Sequence, residues 1–174
     1  AMVSRTRDSI VREVESLREN GVREVSLLAQ DVASYSDGRR RFADLVGAIA
    51  GTGVDWIRVL YLHPSSLSID LAKRIFEHPS VCRYLEVPIQ HASDRVLERM
   101  GRHYTRKHLE RVLGGIRSEF PDVVVRSEVM VGFPGEEESD FDELKAFVES
   151  AQFASLGVFV YSREEGTAAY SLDG

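Results

Sequence analysis

Residues Leu85–Thr105 read LEVPIQHASDRVLERMGRHYT, and residues Val131–Glu136 read VGFPGE. Each stretch carries a short apolar strand into an amphipathic helix through a loop rich in Pro, Gly, Gln or His. In an α/β barrel, loops of that kind lie at the carboxyl ends of the strands, where ligands and chemistry collect. Tyr84–Val87 reads as a short strand closed by Pro88. Ser93 then opens a helix carrying Val96, Leu97 and Met100, and Thr105 opens another carrying Leu109, Val112, Leu113 and Ile116.

The same alternation extends in both directions. Upstream, Ile10, Val11, Val14 and Leu17 share one face of a helix over about Asp8–Asn20, with Gly21 placed to stop it. A strand follows at Glu24–Ala29. Beyond a polar loop, Phe42, Leu45, Val46 and Ile49 mark a second helix, ended by Gly51 or Gly53. Then come a strand at Trp56–Leu62 and a helix near Ile69–Phe76. Downstream lie the longest strand, Asp122–Val131, and a helix whose first turn holds Glu136, Glu137 and Glu138, which suit the positive end of the helix dipole. Its core face is Phe141, Leu144, Phe147 and Val148, and a last strand follows at Ser155–Tyr161.

Strands alternating with helices predict a parallel sheet with right-handed crossovers. The expectation is an α/β fold, an incomplete parallel (β/α) TIM-like barrel of about five strands, forming one domain over 1–174. The chain opens on a helix where such a barrel opens on a strand. The simplest account puts the first strand and its loop before residue 1, with Ala1-Met2 as a cloning remnant.

Composition narrows the function. The 174 residues are 43% hydrophobic and 29% charged, as in a soluble globular protein. No apolar run approaches the roughly 20 residues that span a bilayer, and no signal peptide is visible. A net charge of −6 disfavours broad nucleic-acid binding. The single cysteine, Cys82, excludes an internal disulfide and fits a reducing cytoplasm.

Gln30-Asp31, His63-Pro64, Gln90-His91, Gly132–Glu136 and Ser162–Gly166 each fall just past a strand's carboxyl end. Parallel strands place all five on one rim. The glycines of Gly132-Phe133-Pro134-Gly135-Glu136 let backbone approach a ligand, with a helix amino terminus behind them. Gln90, His91 and Ser93 offer donors and acceptors beside the rigid Pro88; read singly, Ser93 only caps its helix and His91 lies in solvent. The five histidines, His63, His78, His91, His103 and His108, show no metal-ligand spacing, so no protein-held metal is expected. Arg39-Arg40-Arg41 reads as a solvated loop. Arg58 and Arg126 sit within apolar strands and need partners, either a nearby acid or a ligand.

Set side by side, LLAQDVASY (Leu27–Tyr35), WIRVLYLHP (Trp56–Pro64), VPIQHASDRVLERMGRHYT (Val87–Thr105), VGFPGE and VFVYSREEGTAA (Val158–Ala169) resemble the radical S-adenosylmethionine (SAM) methylthiotransferases. The resemblance runs from about Ser4 to Ala169. Gln30-Asp31 and Gln90-His91-Ala92-Ser93-Asp94 resemble the ribosomal-protein branch, the RimO family. The tRNA-modifying branch, the nearest alternative, has Asn after the first Gln and Ser-Gly-Ser after the second.

The resemblance implies methylthiolation of the β-carbon of an aspartate in ribosomal protein S-twelve. One SAM would donate a methyl group to sulfur; another, cleaved beside a [4Fe-4S] cluster, would yield the radical that removes hydrogen from that carbon. It also implies a SAM cradle on Gln90, His91, Ser93, Arg126, Gly132, Phe133, Pro134, Gly135, Val160 and Tyr161, with no catalytic residue assigned. The chain departs from the family in lacking the Cys-x-x-x-Cys-x-x-Cys loop, expected just before Ser4, the amino-terminal domain for a second cluster, and the carboxyl-terminal TRAM barrel. Cys82 cannot substitute, because one thiolate cannot hold a four-iron cluster. The loop Ser34–Arg41 is also shorter than usual. The fragment alone is therefore expected to be inactive, and its open sheet edge to favour a homodimer. A non-catalytic module that kept the fold is the reading from another class. A barrel lyase would need a rim lysine, and Lys73, Lys107 and Lys145 all fall on helices.

Overall fold

Apolar residues at Ile10, Val14 and Leu17 recur at helical spacing, and α1 spans Arg7–Glu19, capped by the Thr6 hydroxyl accepting from the Ser9 N–H. The computed structural model describes residues 3–38 and 40–172, so Ala1, Met2 and Arg39 lie outside the described residues. The order continues as β1 (Glu24–Leu27), β2 (Ser36–Asp37), β3 (Arg40–Arg41), α2 (Phe42–Ala50), β4 (Trp56–Val59), α3 (Ile69–Phe76) and β5 (Val81–Glu86). It closes with α4 (Asp94–Arg99), α5 (Arg106–Glu119), β6 (Val124–Val131), α6 (Glu138–Ala151) and β7 (Ser155–Val160).

Five strands form one sheet in the order β1-β4-β5-β6-β7, every neighbouring pair parallel. Successive strands of this sheet are neighbours throughout, with no reversal of order. That is the winding of a β/α barrel rather than of a doubly wound sheet, and it puts the crossover helices on one face. The expected incomplete TIM-like barrel is what the chain forms.

Side chains alternate across the sheet. On the helix face, Val25, Ile57, Val59, Leu85, Val125 and Val129 are buried against Val46, Ile49, Ile75, Leu109, Ile116 and Phe147. The opposite face is polar and paired in a chain of charges. Arg58 binds Glu24 at 2.8 Å and lies over the Tyr84 ring. Tyr84 donates to Glu86 at 3.2 Å, and Arg126 binds both Glu86 at 3.0 Å and Glu128 at 2.7 Å. Both strand arginines thus take the acid-partner alternative.

Several boundaries differ from the expectation: β1 ends at Leu27 rather than Ala29, β4 ends at Val59 rather than Leu62, and β6 begins at Val124 rather than Asp122. The polar loop before α2 contains the small antiparallel β2–β3 hairpin, in which Arg40 and Arg41 are exposed. Strand β5 begins at Val81 because Val81 already pairs with Ile57 of β4. Helix α6 begins at Glu138, not at Glu136: Glu137 is its N-cap, and Glu136 folds back so that its carboxylate accepts the Phe133 N–H at 3.0 Å.

Candidate functional site

Strand β5 does not let go of the sheet at Pro88. Gln90 pairs with Val129, donating to the Glu128 carbonyl at 3.0 Å and accepting from the Met130 N–H at 2.7 Å. To do so Gln90 takes a left-handed conformation, φ 61°, which is costly for a residue with a Cβ. The consequence is that the Gln90 loop and the Gly132 loop leave adjacent strands at the same end of the sheet. Gln30, Tyr61, His63, Pro88, Gln90, Arg102 and Glu128 line one cavity of about 160 Å³ there. The loops after β1, β4 and β5 converge on it, as expected for a shared rim.

The two loops are tied together from beneath. His91 is fully buried, 0% exposed, and its Nδ1 accepts the Ser93 N–H at 3.0 Å. That bond leaves the ring proton on Nε2, 3.6 Å from Glu136 Oε1 and with no hydrogen-bond partner among the described residues. Burial pushes the imidazole's pKa down, against the opposing pull of Glu136, so the ring is neutral. Ser93 stands at the N-cap of α4 but makes no side-chain cap bond; its hydroxyl donates to Asp140 at 2.6 Å. Asp140 also accepts from the Glu137 N–H at 2.9 Å and from the Arg95 guanidinium.

Arg99 completes the clamp, donating to the Pro134 carbonyl at 2.9 Å. Gly135 lies against it: φ is 80°, and a Cβ there would stand 2.7 Å from the guanidinium. Gly132, φ 72°, is open, since a Cβ would meet only Val160 at 4.0 Å.

Sequence-expected residues therefore divide in two. Gln90, Arg126, Gly132, Gly135, Val160 and Tyr161 retain exposure at or near the rim. His91, Ser93, Phe133 and Pro134 are buried and support the loops rather than facing the opening; neither the solvent-exposed His91 nor the capping Ser93 of the single-residue reading is present. Phe133 packs edge-on against Tyr161 at 5.2 Å. Arg126 is matched by two carboxylates, which makes it a poor partner for a further anion. Sequence reasoning missed Tyr61, Arg95, Arg99, Arg102, Glu128 and Asp140. The one available signal was alternation, which places Glu86, Arg126 and Glu128 on the same face.

Asp31 also turns out to be structural. It accepts from the Ala33 N–H and from the hydroxyls of Ser34 and Ser66, which binds the β1 loop to the β4 loop. Metal chemistry is a separate matter. Among the described residues no group of three or more His, Cys, Asp or Glu side chains could hold a metal ion, and Cys82 is the single thiol. The donor set here does not fit an iron–sulfur cluster. It does fit a small organic ligand, with exposed backbone at Gly132 and acceptors at Gln90 and Glu128.

Fold and site together define a partial β/α barrel with a candidate site at the carboxyl rim of its strands. The chain belongs to the radical SAM superfamily, whose model matches residues 1–148. It is 46% identical over 173 residues to the ribosomal protein uS12 methylthiotransferase RimO of Acetivibrio thermocellus, covering 97% of this chain and 38% of that protein. Its identity to the RimO of Thermotoga maritima is 47%, covering 97% and 40%. The chain thus spans about two fifths of the length of these relatives. Among solved structures, the radical SAM enzyme coproporphyrinogen III oxidase HemN from Escherichia coli superposes with a TM-score of 0.69 at 12% identity, over 94% of this chain and 40% of that one. The cobalamin-dependent SAM radical enzyme OxsB does so with 0.65 at 8%, over 83% and 22%. Those two likenesses concern the fold alone. No helix among the described residues is long and apolar enough to cross a membrane.

Proposed function

We propose that this chain is the central, partial radical SAM core of a RimO-type enzyme that methylthiolates the β-carbon of an aspartate in ribosomal protein uS12, in the cytoplasm. The observation that carries this reading is the convergence of Gln30, His63 and Gln90 with Glu128 on one rim cavity, in a chain 46–47% identical to RimO proteins along 97% of its length. The cluster cysteines and flanking domains belong to other segments of such a protein. Among the rim residues, Gln90, Gly132, Gly135, Val160 and Tyr161 would hold SAM, with Glu128 accepting from ligand hydroxyls. His91, Ser93, Phe133 and Pro134 fix those loops, and Arg126 fixes Glu128. SAM beside its cluster supplies the hydrogen abstraction that an unactivated C–H bond demands.

The test uses a full-length protein carrying this sequence, reconstituted with iron and sulfide without oxygen. Mass spectrometry should show a methylthio group added to the target aspartate of uS12; a reconstituted enzyme that cleaves SAM yet leaves uS12 unmodified would refute the substrate. For the isolated chain, a few polar contacts of roughly 1.5–3 kcal/mol each must offset an immobilisation cost of about 4 kcal/mol or more. Calorimetry should then find SAM affinity in the high micromolar range or weaker. Submicromolar affinity would show that the cradle needs no cluster.

A further inference from the structure

A buried donor beneath the rim loops is left without an acceptor, although a carboxylate stands opposite it. His91 is 0% exposed, and its Nε2–H has no hydrogen-bond partner among the described residues. Glu136 Oε1 is 3.6 Å away, on a side chain that is itself 8% exposed. A charge-assisted N–H···O bond is about 2.7–2.9 Å long, so the pair falls about 0.8 Å short of one. Leaving a bond unmade between two buried groups is costly. Asp140, the next acid along, is already taken by Ser93, Arg95 and the Glu137 N–H.

What surrounds the pair fixes one half of it and leaves the other room to shift. On the ring side, Nδ1 accepts the Ser93 N–H at 3.0 Å, and the Ser93 hydroxyl is anchored on Asp140 at 2.6 Å. Glu136, by contrast, belongs to the Gly132–Glu136 turn. There the Phe133 N–H reaches its Oε2 at 3.0 Å, and the Glu136 N–H reaches the Phe133 carbonyl at 2.8 Å. The turn is therefore closed on itself and moves as a unit. Gly132 at its entry is left-handed, φ 72°, and a Cβ there would meet only Val160 at 4.0 Å, so little packs against the backbone at that point. Arg99 holds the Pro134 carbonyl at 2.9 Å through a long side chain that can follow so small a displacement. Gly132 is exposed at the rim, whereas His91 lies under the turn.

We propose that His91 is a positioning residue for SAM: a ligand seated on the Gly132 backbone brings the turn down onto the ring, and the Nε2–H···Glu136 bond, made only in the bound state, tightens the site. This rests on the SAM reading above. The test uses the full-length protein reconstituted with iron and sulfide, as wild type, His91→Asn and His91→Gln. An asparagine amide matches the reach of Nδ1 and keeps an acceptor for the Ser93 N–H, but it stops short of Glu136. A glutamine amide matches the reach of Nε2 and keeps a donor for Glu136, but it leaves the Ser93 N–H unpaired. By calorimetry, His91→Asn should bind SAM about tenfold more weakly than wild type and His91→Gln within about threefold, since one hydrogen bond separates them. Thermal melts without SAM should rank the variants the other way, with His91→Asn the more stable. In the wild type, SAM should move the His91 Nε2 proton downfield in NMR spectra of isotope-labelled histidine and slow its exchange with water; should a variant not fold, that shift decides alone. Affinities that follow the stabilities, or a proton that SAM leaves unmoved, would overturn the assignment. A wild-type protein that binds no SAM would instead refute the ligand reading, and the assignment with it.

Discussion

Three donors meet at the buried carboxylate of Asp140, from Ser93, Arg95 and the Glu137 N–H. Burial pushes its pKa up, but those bonds and the Arg95 charge outweigh it and hold the group at about 2. A folded pKa below the unfolded value of 3.8 stabilises the fold above that pH and ceases to do so as pH falls from 3.8 to about 2. Arg95 is half-exposed, which discounts its share. Asp140→Asn should therefore cost about 2 kcal/mol at pH 7 by urea denaturation, with the gap to wild type narrowing through that acidic window. A pH-independent gap would assign the loss to packing instead. Gly135 and Gly132 offer a second comparison. Gly132→Ala meets open space and should cost about 1 kcal/mol in backbone strain. Gly135→Ala must also displace Arg99 and should cost more, about 2–3 kcal/mol; equal melting temperatures would dismiss the clamp. None of this was legible in sequence. Ser93 and Asp140 are 47 residues apart, and a lone His91 carries no local sign that Glu136 will meet it across two loops.

Elements were far more readable than their ends, because helix and strand periods are local while boundaries depend on neighbours. Strand β5 starts early because Val81 meets Ile57, and β4 stops at Val59 although the Leu62 N–H still reaches the Glu86 carbonyl at 2.9 Å. Tyr61, turned left-handed in between, interrupts the ladder. The start of α6 was misplaced by two residues because three consecutive glutamates look alike in sequence, while only Glu136 has a loop N–H to accept. Within α5, Gly114 and Gly115 are equivalent by composition and opposite in packing. A Cβ on Gly114 would meet nothing within 4 Å, whereas one on Gly115 would stand 2.4 Å from Cδ1 of Ile69 in α3. Gly114→Ala should raise stability by about 0.5–1 kcal/mol through helix propensity. Gly115→Ala should forfeit that gain and fall about 1 kcal/mol below wild type as α3 is pushed away. Thermal melts of the two variants on the same side of wild type would contradict the close α3–α5 approach.

Across the molecule, a sheet of five parallel strands has β1 and β7 at its two edges, neither paired further among the described residues. The consecutive strand order follows from strands alternating with helices, but how far each edge is covered depends on packing that the sequence does not display. Beside β1, a groove of about 500 Å³ runs along α1, lined by Ile10, Val14, Leu17, Val25, Leu27 and Phe42 among others. Leu28 at the end of β1 is 65% exposed, and Val158 on β7 is 59% exposed. Unpaired strand edges flanked by apolar surface recruit further strands, and a lysine on such an edge opposes that pairing. The 174-residue chain should therefore self-associate, its scattering mass rising with concentration above that of one chain. The double variant Leu28→Lys, Val158→Lys should move the rise to at least tenfold higher concentration and leave the far-ultraviolet spectrum unchanged, since both side chains already face solvent. Association unaffected by the two lysines would place the contact elsewhere on the surface. A wild-type chain that stays monomeric at millimolar concentration would mean that neither edge is available for pairing.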